Sequence, residues 1–289
     1  MHKVLVLLVL SVVSLLATSE LKKLQYIGTV KDIIISTQKI RGGTFNFLNG
    51  STAAQFIVYD ERSNQKKAFR LLAYQSNRIS SVRLTSEFDN LRKQMSSLND
   101  MAFELDPVMS FSAYCTLIKK MLKTDQQMQE IFFNESTPMI KSVTKVMTND
   151  LLPLSEEVGK LRGLGSGIIA KTVCDDEEIA MLKESINEIK VCLKNTIDHL
   201  QSLNSRYSQQ YPKDFSDRLA RLSKEIGHYV QFAETRLLEK KNITADSDQY
   251  FADGTRLISG VMELYKVNEN ILLSTTPNSI GHIASTTNP

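Results

Sequence analysis

Apolar residues recur three and four positions apart along almost the whole of this chain, the spacing of one face of an α-helix rather than the alternation of a strand. Helix-stopping residues divide the pattern into eight helices. The first runs from about Glu20 to Leu48 and ends at Asn49 and Gly50, a good helix stop. Ser51 or Thr52 can cap a second, which continues to about Gln75. A third spans roughly Ser80 to Leu105 and stops at Asp106 and Pro107, and a fourth runs from Ser110 to Phe133. The fifth covers about Met139 to Ala170. Asp175, Asp176, Glu177 and Glu178 then sit at the amino end of the sixth, where the helix dipole favours acids, and that helix reaches about Arg206. Pro212 lies near the start of a seventh, which ends near Lys241, and Asp246 caps an eighth, from Ser247 to about Leu273. Two runs, Ile33 to Ile35 and Phe56 to Tyr59, favour strands by residue type. Both lie inside longer helical patterns without flanking turn residues, so the periodicity predicts helix. Eight long helices joined by short loops predict an all-α protein built as two packed four-helix bundles.

Composition agrees and adds an export expectation. The chain has 289 residues, enough for one large domain or two small ones, and 12 Gly, 6 Pro and no Trp, a mixture that favours helices. His2 and Lys3 precede an uncharged apolar run from Val4 to Leu16, followed by small residues at Ala17, Thr18 and Ser19. This reads as a cleaved secretory signal over residues 1–19, with an uncleaved amino-terminal anchor as the alternative. Either places the helical region, residues 20–273, outside the cytoplasm and suggests a bacterial periplasm. Residues 274–289 are polar and are expected to form a frayed tail.

Charge and reactive residues exclude several classes of function. The net charge is +3 with the two signs interspersed, and no run of Lys and Arg carries interleaved aromatics, which argues against nucleic acid. Cys115, Cys174 and Cys192 form no CxxC pair, so a disulfide framework or a zinc site is poorly supported. His199, His228 and His282 have no ligand spacing, and no nucleophile signature argues for an enzyme. No cofactor is expected. Gly163 to Gly167 looks superficially like a phosphate loop but follows a helix and lacks the Lys–Ser/Thr ending.

The chemistry that remains is carried by two arginines. Lys39-Ile-Arg41-Gly42 in the first helix and Lys160-Leu-Arg162-Gly163 in the fifth share a Lys–apolar–Arg–Gly pattern 121 residues apart. The match reads either as a vestige of duplication or as chance. Each arginine lies on an apolar stripe, Arg41 with Ile34, Phe45 and Leu48, Arg162 with Val158 and Ile169. Such an arginine points into a bundle, where an unpaired charge is expensive. Neither has an acid three or four residues away to relieve it. Each therefore pairs with an acid on another helix or awaits an anion, which the rigid planar donors of a guanidinium suit well. The nearby glycines permit close helix approach or expose backbone amides to a ligand.

Three segments resemble the nitrate- and nitrite-sensing (NIT) domain of bacterial signalling proteins. Gln38-Lys-Ile-Arg-Gly-Gly-Thr-Phe-Asn-Phe-Leu-Asn-Gly50 is similar to the family's first-helix signature. Leu152-Pro-Leu-Ser-Glu-Glu-Val-Gly-Lys-Leu-Arg-Gly-Leu-Gly-Ser-Gly167 is similar to the second, and Tyr250-Phe-Ala-Asp-Gly-Thr-Arg256 to the start of the last helix. The resemblance implies two four-helix bundles with a nitrate or nitrite site between them. It implies Arg41 and Arg162 as donors to the anion, Arg256 as a third, and Gly42 and Gly163 as residues that permit the approach. Members usually precede an effector module, whereas this sequence ends after the eighth helix. The expectation is a sensor that acts through a separate signalling protein, with a homodimer possible. The alternative is a helical scaffold of the same fold without an anion, in which both arginines would have acid partners across helices.

Overall fold

The computed structural model describes the backbone of residues 2–79, 82–238 and 243–275, and the side chains of residues 19–79, 86–238 and 243–275. The apolar run at residues 4–16, on which the signal or anchor expectation rests, and the tail beyond residue 275 lie outside the described side chains.

Among the described residues every regular element is helical. They are α1 (His2–Leu48), α2 (Ala54–Ile79), α3 (Val82–Met101), α4 (Pro107–Phe133), α5 (Pro138–Val146), α6 (Leu152–Lys171), α7 (Asp176–Arg206), α8 (Phe215–Phe232) and α9 (Ser247–Thr275). A π-helical turn at Met147–Leu151 joins α5 to α6 without a break. The two together are the single fifth helix expected from the sequence, so eight rods are present. Pro153 explains the widened turn: it lacks an N–H and would crowd the carbonyl four residues back in a regular helix. Gly50 ends α1 with φ of 106°, as its position predicts. Asp175 and Glu178 form a reciprocal capping box on α7, and Asp246 caps the start of α9. The strand-favouring runs at residues 33–35 and 56–59 are helical. The third helix stops at Met101, short of Leu105, and a second π-helical turn, Ala233–Leu237, extends α8.

The rods pack as two four-helix bundles, α1 to α4 and α5–α6 to α9. In the first, α1 lies along α2 and α4, and α3 against α4 and α2; in the second, α6 lies along α7 and α9, and α8 against α9 and α7. A buried hydrogen-bond chain ties all four helices of the first bundle: Gln65 Nε2 donates to Thr37 Oγ1, Asn99 Nδ2 to Gln65 Oε1, and Tyr114 OH to Asn99 Oδ1. Satisfied polar groups in a core fix the relative heights of the helices. The bundles meet where α1 packs on α6. These two helices run parallel, with Gln38 opposite Ser155, Gly42 opposite Gly163 and Asn46 opposite Ser166. A helix buried on all sides must be apolar or small on all sides. Accordingly α6 mixes Leu, Val and Ile with buried Ser155, Ser166 and glycines.

Candidate functional site

The parallel pair α1–α6 brings together the two arginines that the sequence singled out. Arg41 and Arg162 are the two largest fully buried side chains, 0% and 1% exposed. Their glycine neighbours explain how. At the crossing, a Cβ on Gly163 would lie 3.3 Å from the Cα of Gly42, so the missing side chain at Gly163 lets the backbones approach closely. Each arginine then reaches across to the other helix. Arg41 Nη2 lies against Gly159 of α6, and Arg162 Nη2 against Gly42 of α1.

The two settings match in detail. The Arg41 guanidinium stacks on Phe111 of α4, 4.9 Å from the ring centre, and its Nη1 donates to Cys115 Sγ at 3.2 Å. The Arg162 guanidinium stacks on Phe251 of α9 at 4.6 Å, and its Nη1 donates to Thr255 Oγ1 at 3.0 Å. Phe111 and Phe251 are 140 residues apart, as are Cys115 and Thr255. Phe111 also caps Gly163, while Phe251 caps Gly42. The repeated Arg–Gly step is thus one part of a local two-fold arrangement that a four-residue match could only hint at.

One residue breaks the symmetry. Arg41 Nη1 also donates to Glu156 Oε1, a carboxylate on α6 that is itself 4% exposed. Arg162 has no acid within ion-pair distance among the described residues. In both arginines Nε and Nη2 have no hydrogen-bond partner among the described residues. Those two nitrogens form one edge of the guanidinium, with parallel N–H groups spaced for two oxygens of a planar anion. Two guanidinium charges against one carboxylate leave one positive charge uncompensated at the crossing.

The electrostatics follow. Burial pushes Arg162 down to about 10, with the Arg41 charge acting in the same direction against a pull from Tyr229. Burial also acts to lower Arg41, but Cys115 and Glu156 outweigh it and hold the group above its ordinary value. Burial raises the Cys115 thiol, which keeps it neutral at neutral pH and leaves Glu156 as the anion of that pair. All three cysteines are free.

Two clefts border residues of this crossing. One, of about 370 Å³ between α1 and α9, has Arg162 on its floor with Gln38, Ile35 and Thr255. The other, of about 420 Å³ between α4, α6 and α7, is floored by Glu156, Cys115 and Phe111. Gln38 is buried and lies over Gly159 beside Arg41, with its Oε1 lacking a partner.

Arg256 is placed elsewhere. Its side chain is 59% exposed, pairs with Glu225 Oε2 at 2.7 Å and stands 3.6 Å from Asp253. One residue along a helix is a rotation of about 100°. The α9 segment similar to the family's last helix therefore contributes Phe251, Gly254 and Thr255 to the crossing and turns Arg256 to solvent. Sequence reasoning missed Glu156 because it tested acids only three and four residues from each arginine. It missed the two phenylalanines because nothing in one helix shows which ring another helix supplies.

Glu157, beside Glu156, gives the region a pH dependence. Burial raises its carboxyl from 4.5 to about 7, against the opposing pull of Lys160. The folded protein therefore keeps this proton where the unfolded chain has lost it, and stability declines as pH rises through this window. Glu157→Gln is expected to remove a fall on the order of 2 kcal/mol between the two values. Thermal melts of both proteins across pH test this; equal slopes would show that Glu157 does not titrate there.

Together the features define an all-α protein of two four-helix bundles with a buried arginine pair at the seam. No family model matches the chain, and no curated protein does. Among solved structures, the NasR transcription antiterminator is similar in fold, with a TM-score of 0.71 at 14% identity over 99% of this chain and 78% of that one. The likeness extends over both bundles, as the resemblance noted in the sequence implies for the fold.

Proposed function

We propose that this protein is an exported sensor of a small planar oxyanion, nitrate or nitrite. It binds the anion at the α1–α6 crossing and signals through a separate protein. The observation that carries the proposal is Arg162, a buried guanidinium with no acid partner and one full donor edge unsatisfied. An isolated charge in such a place costs several kcal/mol, about what a bound counter-ion restores. A monovalent oxyanion from the α1–α9 cleft matches the uncompensated charge in sign and size and the donor edge in shape. The signatures at residues 38–50 and 152–167 support nitrate or nitrite in particular. The fold shared with NasR, a transcription antiterminator, supports a regulatory role.

The scaffold alternative has one observation in its favour, the Arg41–Glu156 pair across helices. It requires the same at Arg162, whose hydrogen-bond acceptor among the described residues is the Thr255 hydroxyl. Packed helices move between discrete arrangements rather than deforming continuously. Filling the seam is therefore expected to shift α1 against α6 and pass occupancy to both bundles.

Titration calorimetry of the purified protein with nitrate, nitrite and chloride is the test. Saturable heat is expected with nitrate or nitrite and not with chloride, and is lost in Arg41→Ala and in Arg162→Ala. Undiminished affinity in both variants would remove the site; no heat with either anion would favour the scaffold.

A further inference from the structure

Two equivalent arginine settings raise the question of why one has a carboxylate and the other does not. The answer lies in the 121-residue correspondence between α1 and α6. Glu156 corresponds to Ile35, as Arg162 corresponds to Arg41 and Gly163 to Gly42. The positions agree as well as the numbers. Glu156 lines the cleft between α4, α6 and α7, and Ile35 lines the α1–α9 cleft that holds Arg162. Part of the remaining lining corresponds in the same way. Lys39 and Lys160 line them at one offset, and Thr255, Ser259 and Met262 match Cys115, Lys119 and Leu122 at the other. The α1–α9 cleft thus presents Arg162, Thr255 and Ile35, whereas the other cleft presents Glu156 and Cys115, behind which Arg41 donates to both.

We propose that Glu156 is a built-in counter-anion that silences one of two equivalent anion half-sites, so that Ile35 leaves only the Arg162 half-site open to ligand. A carboxylate and a nitrate are both planar, singly charged oxyanions, and a guanidinium accepts either. At Arg41 the chain supplies the anion itself, donated to by Nη1 and held by a covalent tether. At Arg162 the corresponding side chain is an isoleucine, which offers no charge, so the compensating anion has to come from solution. The crossing as a whole then takes one monovalent anion, because Glu156 already provides the other negative charge.

The inference rests on the anion-binding reading, but its test separates the two. Calorimetry with nitrate on Glu156→Ile is expected to show two bound anions where the native protein shows one. A stoichiometry that stays at one overturns the proposal. Glu156→Ile leaves both guanidiniums uncompensated and is expected to lose stability without nitrate, so the converse exchange is the second arm. Ile35→Glu is expected to abolish nitrate heat by closing the open half-site, and to raise the melting temperature of the anion-free protein by giving Arg162 a partner. A lowered melting temperature, or retained nitrate binding, overturns the proposal. If the native protein binds no nitrate at all, the reading of function fails by itself. The rise in melting temperature of Ile35→Glu still decides whether the position is a counter-charge site.

Discussion

Arg162→Met is expected to bind no nitrate or nitrite and to melt at a higher temperature than the native chain when no anion is present. The reason is that the arginine is buried at a cost which its neighbours offset only in part, since burial outweighs the pull of Tyr229, Glu156 and Glu61. Its Nε and Nη2 have no partners, Thr255 is a neutral acceptor, and Arg41 lies close enough to repel it. Methionine keeps the length and unbranched shape that fit against Phe251 and Gly254 while removing the charge. Exchanges of buried ionic groups for apolar ones have stabilised other proteins by about 1–4 kcal/mol. Arg41→Met should do the opposite. It strands Glu156, a buried carboxylate whose hydrogen-bond partner among the described residues is Arg41, and breaking such a pair costs about 3–5 kcal/mol. Melting curves of the three proteins, with and without nitrate, separate the cases. Nitrate should raise the native melting temperature through mass action and leave that of Arg162→Met unchanged. If the two variants were destabilised alike, Arg162 would be a satisfied structural residue and the need for an anion would vanish.

This contrast assigns different work to two residues that look equivalent in sequence. Arg41 and Glu156 form an ion pair that ties α1 to α6. On the proposed reading Arg162 is the variable element, whose remaining charge a bound anion would balance. A sensor needs such a division, because a ligand shifts an equilibrium only by the difference in its affinity for the two states. A seam in which both arginines were internally paired would hold the bundles firmly and report nothing.

How far the sequence disclosed this can be traced residue by residue. Helical periodicity placed the eight rods because each buries a stripe, and Gly50, Asp175 and Asp246 marked ends through local backbone chemistry. Arg41 and Arg162 were legible for the same reason: a charge on an apolar stripe conflicts with its own helix. Glu156 was not, although it lies six residues before Arg162, because its partner is on another helix and spacing within one helix is silent about that. Phe111, Phe251, Cys115 and Thr255 were hidden by the same limit. Arg256 shows the converse. A charge in a segment similar to a known signature drew attention, yet the rotation of α9 exposes it and presents Thr255 instead. The π-helical turn before Pro153 was also beyond reach, since proline ends or kinks most helices and only packing on both sides carries this rod through.

The glycines give the sharpest test of whether the seam is built to hold Arg162 in place. Alanine in a helix is favoured over glycine by roughly 0.5–1 kcal/mol, so each substitution begins with a gain that the surroundings must reverse. At Gly42 they do not. A Cβ there would meet Phe251 at 3.5 Å and Arg162 Nη2 at 3.8 Å, ordinary contact distances. Gly42→Ala is therefore expected to fold at native stability or slightly above, although it belongs to the conspicuous Arg–Gly step. At Gly254 a Cβ would lie 2.7 Å from Arg162 Cγ, 2.8 Å from Arg162 Cβ and 2.6 Å from Tyr229 OH. The arginine stem is fixed to α6 and cannot swing away as a chain end can, and Tyr229 is packed on Tyr250. Overpacking of this kind costs about 1–3 kcal/mol, more than the helix gain. It also tilts the guanidinium off Phe251 and away from Thr255, so Gly254→Ala should lose nitrate affinity as well as stability. Measured together by thermal melts and calorimetry, the pair should diverge in both properties. If Gly254→Ala bound nitrate as the native chain does, the orientation of Arg162 would not depend on the seat that α9 provides.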